Sequence, residues 1–248
     1  MKCPGWESDK VGYRFYLDWR NATDIFGKKT GAMVLQGVGL DGFDSYHEPS
    51  DWGMDILKVG RSLGIGALGF WQGDSAIRVE TTDSVYCEIA QNGDLQSCVE
   101  TDYFGWLADG KKVDVNSTLC IQAGSRLTRH DVRLSEALPN LCTGIVKLDQ
   151  TLLQKEANGW GYIATWGKQS LAKDNLGMAV IYRVADKQLV SEDKYNHVLV
   201  LSPGGNTLSY YFLAAWEQEK EGIKTLEEFQ AYLDQTLAGM ANPVLVKM

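Results

Sequence analysis

Hydrophobic and polar residues alternate with a period of two near the start of the chain, in the segment KVGYRFYLDWRN. This alternation predicts a β-strand with one apolar and one polar face. The apolar face consists of Val11, Tyr13, Phe15, Leu17 and Trp19. The opposite face carries the polar side chains of Arg14, Tyr16, Asp18 and Arg20. This polar face is either a solvated outer surface or the floor of a ligand cleft, and in the second case these four residues bind the substrate.

Short β-rich runs broken by turn signals fill most of the remaining chain. They occur between residues 75 and 132 and again between residues 141 and 216. Repeated glycines within residues 41–73 interrupt every helical pattern, so we expect a long loop there that leads into a short strand near residues 67–71. Regular short strands separated by turns indicate an antiparallel sandwich or barrel.

One helix is predicted near the end of the chain. Thr225 and Glu228 have the spacing of a capping box. Apolar residues follow at helical spacing, namely Leu226, Phe229, Leu233, Leu237 and Met240. We expect the helix to cover residues 226–239 and to end at Gly239, with the segment PVLVK after it as a closing strand. The length of 248 residues and the lack of an obvious linker predict a single domain over residues 1–248.

The composition is that of a globular protein, with 44% hydrophobic and 23% charged residues. The net charge of −8 argues against nucleic acid as a partner, because phosphate binding needs a basic face. No run approaches the roughly 18 apolar residues of a membrane helix, so membrane insertion is not expected. The first ten residues contain no apolar leader. The oligomeric state is not predicted.

Five cysteines occur, and none forms a CxxC pair that would suggest a zinc ribbon. Cys87 and Cys98 flank an Asn92-Gly93 dipeptide, which is a strong hairpin turn signal. A hairpin centred on this dipeptide places Cys87 and Cys98 nearly opposite each other, either as a disulfide or as two buried thiols.

The densest polar cluster is the segment SYHEPSDWGMDILKVGR. Tyr46 and His47 can transfer a proton, and Lys58 and Arg61 can neutralise a carboxylate. Asp51 and Trp52 are candidate substrate contacts, since an indole ring can stack on a sugar ring. The alternative is a surface loop held by its own hydrogen bonds.

Metal binding in this region would use Asp41, Asp44, His47 and Asp51. The spacing of a calcium loop is absent, so we predict no metal site and no cofactor, with a divalent cation such as calcium as the alternative. No phosphate-binding glycine motif and no nucleophile elbow occurs.

Histidine is rare in this chain, so each of the three histidines is a candidate acid or base. His130 lies in RLTRHDVRL, where Arg126 and His130 would share one strand face. We include His130 among the catalytic candidates and Arg126 among the substrate contacts. His197 begins an apolar run, which suggests a structural role.

Several of these segments together resemble the bacterial family catalogued as domain of unknown function 4861. The similarity lies in YRFYLDWRNATDIFGKKT, in DWGMDILKVGRSLGIGALGF and in LSYYFLAAWEQ, with WGMDILKVG as the specific core. The resemblance implies a large β-sandwich of the galactose-mutarotase-like type, called a supersandwich, and a periplasmic or secreted location. It also implies a role in polysaccharide degradation with an oligosaccharide or polysaccharide as the substrate, such as one that contains uronate.

Elimination on a uronate needs three groups: a cation for the carboxylate, a base for the α-proton and an acid for the leaving oxygen. The candidates above supply all three, so we predict a carbohydrate lyase or dehydratase. One alternative is a non-catalytic carbohydrate-binding or accessory protein, and another is a sugar epimerase or mutarotase. A glycosidase would need two facing carboxylates, for which Asp18, Asp51, Asp55 and Glu217 are candidates.

Overall fold

A computed structural model describes residues 4–40 and 45–243. The described residues form seventeen β-strands and one α-helix. In chain order the strands are β1 (Gly5–Glu7), β2 (Val11–Phe15), β3 (Thr23–Lys28), β4 (Gly53–Asp55), β5 (Gly69–Gln72), β6 (Ser75–Arg78), β7 (Ser84–Asn92), β8 (Gln96–Ala108), β9 (Lys111–Gln122), β10 (Leu127–Leu134), β11 (Leu141–Val146), β12 (Leu153–Ala157), β13 (Trp160–Lys168), β14 (Asn175–Arg183), β15 (Lys187–Glu192), β16 (Asn196–Leu201) and β17 (Thr207–Trp216). The helix is α1 (Leu226–Ala241).

The strands form three antiparallel sheets. The largest has eight strands in the order β12-β13-β14-β17-β10-β9-β8-β7, and the others have the orders β1-β2-β3-β4 and β15-β16-β11-β5-β6. Gly64 and Ile65 join the two smaller sheets, because Gly64 bridges to Thr23 of β3 and Ile65 bridges to Ile145 of β11. The predicted antiparallel β-sandwich with one C-terminal helix is confirmed.

The period-two pattern of the central strands separates two apolar layers. In β14, Met178 and Val180 belong to the main core between the sheets, whereas Ala179 and Ile181 face the opposite way. That second face of β13, β14 and β17 packs against α1. The sequence of a strand that is buried on both faces is therefore a continuous apolar run rather than an alternation of apolar and polar residues.

The helix begins where the sequence predicts. The Thr225 side chain accepts a hydrogen bond from the Glu228 amide, and Glu228 caps Thr225 in return. Phe229, Leu233 and Leu237 form its buried stripe. The helix runs to Ala241 rather than ending at Gly239, because a glycine inside a helix weakens it without terminating it. The predicted closing strand PVLVK extends beyond residue 243 and so lies outside the described residues.

The first predicted strand is shorter in the structure than the alternating pattern in the sequence, which continues to Arg20. β2 ends at Phe15, and residues 17–20 form a turn in which the Asp18 side chain accepts the Arg20 amide at 2.9 Å. This side-chain hydrogen bond competes with strand pairing, as is typical of aspartate. Trp19 consequently lies outside the core and is 55% exposed.

The glycine-rich segment also contains more regular structure than predicted. Residues 53–55 form β4, which pairs with β3, and the predicted strand near residues 67–71 is β5 at Gly69–Gln72. Gly53 has a positive φ of 136° and lies so close to the Gly27 carbonyl that a Cβ atom would overlap it. Glycine is therefore what allows β4 to approach β3 at this position.

The disulfide of this chain joins Cys98 and Cys120, not Cys98 and Cys87. Cys98 is opposite Gln91 across the β7–β8 hairpin and opposite Cys120 across the β8–β9 pair. A bulge between Ile89 and Gln91 and a turn centred beyond Asn92 shift Cys87 to face Thr101. Cys87 is a half-buried free thiol.

Candidate active site

A polar cluster lies on the face of the four-stranded sheet that points away from the main core. Arg14 on β2 is directly opposite Asp24 on β3, and Phe26 on β3 is directly opposite Asp55 on β4. Neighbouring residues of these strands, such as Tyr13 and Ile25, point into the core. Strand alternation thus brings one guanidinium and two carboxyl groups together on one face.

Arg14 connects the two carboxyl groups. Its Nη2 atom is 2.5 Å from Oδ2 of Asp24 and 3.1 Å from Oδ2 of Asp55. Tyr16 donates its hydroxyl proton to Oδ2 of Asp24 at 2.7 Å and also contacts Nη2 of Arg14. The carboxyl groups are nearly inaccessible, with 1% of the Asp24 and 2% of the Asp55 side chain exposed.

This arrangement changes the acidity of its members. Burial and the neighbouring Asp24 raise the pKa of Asp55 to about 8, although Arg14 acts in the opposite direction. Burial and Asp24 also raise the pKa of Tyr16. The pKa of Arg14 is raised by Asp24, Tyr16 and Asp55 in spite of its burial, so the guanidinium stays charged. A carboxyl group that titrates near neutral pH is suited to proton transfer.

His47 lies at the margin of this cluster. Its Nε2 atom is 3.5 Å from Oδ2 of Asp55, and a third of its side chain is exposed. The ring of Tyr46 lies 4.4 Å from that of His47 between centroids, and the Arg14 guanidinium lies 4.9 Å from the Tyr46 ring. His47 therefore combines solvent access with contact to a buried acid.

Aromatic rings surround the cluster. Arg14 also packs over Phe26 and Tyr16, at 5.0 Å and 4.6 Å from the ring centroids. Trp52 is half-buried, and its ring is tilted against Phe26 at 6.1 Å between centroids. The Trp52 side chain is thus partly accessible to solvent.

The remaining residues of the predicted loop lie farther along the surface. Asp51, Lys58 and Arg61 are exposed. The Arg61 carbonyl accepts a hydrogen bond from the Arg78 side chain at 2.9 Å, and the Arg61 guanidinium lowers the pKa of Tyr195. Arg61 therefore lies near Tyr195, the residue directly before β16. Lys58 is three residues after Asp55 in the chain.

Two of the four predicted substrate contacts of the first strand belong to the turn after β2. Arg20 pairs with Asp18, with Nε 2.9 Å from Oδ1, and its guanidinium lies 3.6 Å from the Tyr16 ring centroid. Arg14 and Tyr16 are thus part of the cluster itself, while Asp18 and Arg20 flank it through Tyr16.

Arg126 and His130 lie elsewhere, inside the protein. Arg126 forms a buried ion pair with Glu219, with Nη2 2.6 Å from Oε2. His130 is 2% exposed and contacts the Ser117 hydroxyl at 2.7 Å, and burial lowers its pKa to about 4. The structure does not bring either residue together with His47.

Sequence reasoning missed Asp24 and did not assign Asp55 to this cluster. Asp24 lies in TDIFGK, a strand in which all six residues are buried. The one available signal was a carboxylate inside an otherwise apolar strand, since a buried charge requires a partner. Among residues 4–40 and 45–243, no group of three or more His, Cys, Asp or Glu is arranged to hold a metal ion. The calcium candidates Asp41 and Asp44 lie outside the described residues.

A second polar surface occurs on the eight-stranded sheet. Arg129, Asp131 and Arg133 of β10 line a groove of about 560 Å³ together with Glu100 and Asn116. Asp131 is already paired with Arg129 and accepts a hydrogen bond from Ser209 at 2.5 Å. None of the described segments forms a helix with the length and apolar character needed to cross a membrane.

The fold and the cluster define an antiparallel β-sandwich protein with a buried guanidinium–carboxyl cluster on the outer face of its four-stranded sheet. The chain belongs to the family described as domain of unknown function 4861 (DUF4861), which matches residues 2–246. No curated protein matches the chain.

The solved structures similar to this chain include glycosidases. One is the alpha-N-acetylgalactosaminidase NagBb from Bifidobacterium bifidum in complex with GalNAc, with 10% identity, a TM-score of 0.43, and coverage of 94% of this chain and 39% of that chain. Another is an alpha-galactosidase from Lactobacillus brevis, with 9% identity, a TM-score of 0.36, and coverage of 86% and 39%. The chain therefore spans about two fifths of the length of these structures.

Proposed function

We propose that this protein is a carbohydrate-active enzyme that acts on uronate-containing oligosaccharides by elimination, as a lyase or a dehydratase. The observation that carries the proposal is the contact of the partly exposed His47 with the buried acid Asp55. A solvent-accessible imidazole beside a buried acid with a raised pKa is an arrangement expected of proton-transfer sites. The carbohydrate substrate follows from the family resemblance and from the aromatic rings around His47.

In this reaction the His47 imidazole removes the proton from the carbon next to the uronate carboxylate. The released electron pair forms a carbon–carbon double bond, and the bond from the adjacent carbon to the leaving oxygen breaks. Tyr46 gives its hydroxyl proton to the leaving oxygen, and its phenolate then regains a proton from the His47 imidazolium. The two residues thereby return to their starting state.

A cation must stabilise the charge that develops on the uronate carboxylate. Arg14 is already engaged by Asp24 and Asp55, and Arg126 is engaged by Glu219. Lys58 is exposed and follows Asp55 closely along the chain. We assign the uronate carboxylate to Lys58, and Trp52 stacks on the face of a sugar ring.

We also propose that the protein works outside the cytoplasm. The disulfide between Cys98 and Cys120 supports this location, because such bonds persist in oxidising compartments.

The test is incubation with a panel of uronate oligosaccharides, followed by ultraviolet absorbance of the conjugated double bond. Binding is measured in parallel by calorimetry. Activity on one member of the panel would support elimination. Binding without any product would instead identify a carbohydrate-binding protein. In that alternative Trp52 still stacks on a sugar ring, but proton transfer by Tyr46 and His47 is not needed.

A further inference from the structure

We infer that Asp24 and Asp55 share one proton, which resides on Asp55, so that the group facing the neighbouring His47 imidazole is a neutral acid rather than a carboxylate. Asp55 is then a positioning residue that acts through His47. The benefit for turnover rests on the function proposed above, whereas the proton sharing itself does not.

The charge balance of the cluster points to the shared proton. Two buried carboxyl groups contact the same Nη2 atom of Arg14, and Asp24 is close enough to Asp55 to raise the pKa of that carboxyl group. If both were ionised, the cluster would carry a net negative charge in a region with little access to water. One proton makes the cluster neutral and gives the contact between the carboxyl groups a donor.

The hydrogen bonds indicate which carboxyl group holds the proton. Asp24 accepts from Arg14 at 2.5 Å, from the Tyr16 hydroxyl at 2.7 Å and from the Ile25 amide at 3.0 Å. Asp55 accepts only longer hydrogen bonds among those described, from Arg14 at 3.1 Å and from the Leu57 amide at 3.2 Å. Hydrogen bonds to an ionised carboxylate stabilise it, so Asp24 is the anion and Asp55 is the acid.

The described titratable groups around Asp55 come from three sides. Arg14 belongs to β2 and Tyr16 follows directly after it, Asp24 belongs to β3, and His47 belongs to the turn before β4. Arg14 favours ionisation of Asp55, whereas burial and Asp24 oppose it and raise its pKa. Asp24 is therefore the group whose removal would release the proton.

The consequence for His47 follows from its 3.5 Å distance to Asp55. An ionised Asp55 would hold the imidazole as imidazolium, which cannot accept a proton. A protonated Asp55 offers a neutral hydrogen-bonding partner, so His47 stays available as a base. Asp24 thus acts on His47 through Asp55.

The experiment is an NMR titration of the histidine ring signals in the full chain, for wild type, Asp24→Asn and Asp55→Asn. The signal of His47 is assigned with His47→Gln, and buried His130 serves as the internal control. We expect Asp24→Asn to raise the pKa of His47 by about one unit or more, because Asp55 then ionises beside it. We expect Asp55→Asn to change that pKa by no more than a few tenths, because the amide replaces a neutral acid.

A fall in the pKa of His47 in Asp55→Asn would overturn the inference, since it would show that Asp55 is ionised in the wild type. An unchanged pKa in Asp24→Asn would overturn it as well. If Asp24→Asn does not fold, infrared difference spectra of the wild type and Asp55→Asn decide the matter. A protonated-carboxyl band that persists to about pH 8 and is absent from Asp55→Asn is expected, and its absence from the wild type would contradict the shared proton.

These readouts need no substrate. Titrations that agree with the inference in a protein without elimination activity would reject the proposed function and leave the shared proton intact. Elimination activity in a protein whose Asp55 is ionised would reject the shared proton and leave the proposed function intact.

Discussion

The Nε2 atom of His47 lies 3.5 Å from Oδ2 of Asp55, so an imidazole that is one third exposed contacts an acid of which only 2% is exposed. The two residues are eight positions apart, and the turn that precedes β4 brings them together. We expect the buried partner to make the stability of the fold depend on pH.

The pH dependence of stability should depend on Asp55. The pKa of Asp55 is about 3.9 in the unfolded chain, the ordinary value for aspartate, and about 8 in the folded chain. The folded chain therefore keeps a proton that the unfolded chain releases, so this contribution to the free energy of unfolding is full below about pH 4 and is lost as the pH rises through about 8.

Asp55→Asn should remove this decline. Denaturant unfolding measured from about pH 5 to pH 8 should show a wild type that loses a few kcal/mol more than Asp55→Asn over this interval. The comparison between the two proteins cancels the contributions of other groups, such as His130. Parallel profiles would contradict a raised pKa at Asp55.

Replacement of Lys58 by alanine should slow turnover about 100-fold, because the developing carboxylate charge would lose its cation. The fold should be unaffected, since Lys58 is exposed. Lys111→Ala, at an exposed position on β9, is the matched control and should retain wild-type turnover. A Lys58→Ala variant as active as this control would remove Lys58 from the mechanism.

Trp52→Ala should raise KM by about tenfold with a smaller effect on kcat, because a stacking contact contributes on the order of 1 kcal/mol to binding. Tyr86→Ala removes an exposed ring from the edge strand β7 and should change neither constant. A large loss of melting temperature in Trp52→Ala would show that the indole serves mainly to anchor Phe26 and the segment around it.

Arg126→Ala should lower the free energy of unfolding by about 3 kcal/mol, because it leaves the carboxylate of Glu219 buried without its ion pair. Arg129→Ala breaks a more exposed pair with Asp131 and should cost less than about 1 kcal/mol. Chemical denaturation of the two variants provides the comparison. Equal stabilities would argue against a structural role for Arg126.

The sequence predicted those features that depend on local pattern. The capping box of Thr225 and Glu228 located the start of α1, and repeated short strands indicated the antiparallel sandwich. The end of β2 was predicted less well, because the hydrogen bond between Asp18 and the Arg20 amide ends an alternation that continues in the sequence to Arg20. The disulfide partner of Cys98 was not predicted, because a bulge in β7 determines which residue of that strand faces Cys98. This bulge has no clear signature in the sequence.

Prediction of the candidate site was limited for a similar reason. Arg14, Tyr46 and His47 were identifiable by residue type, and the structure places them together. Asp24 was not, because its importance comes from facing Arg14 across a strand pair whose register the sequence does not define. Conversely, His130 is chemically versatile but is enclosed by the core, and burial is a property of the packed sheets rather than of the local segment.

The mass of the products formed from a uronate oligosaccharide tests the central claim most directly, with wild type, His47→Ala and Glu48→Ala compared. Elimination by a lyase predicts fragments whose masses sum to that of the substrate, and elimination by a dehydratase predicts the substrate less one water. The wild type and the exposed-neighbour control Glu48→Ala should form such products at similar rates, and His47→Ala should form them about 100-fold more slowly. Fragments that contain one added water, or equal rates for all three proteins, would contradict an elimination in which His47 moves the proton.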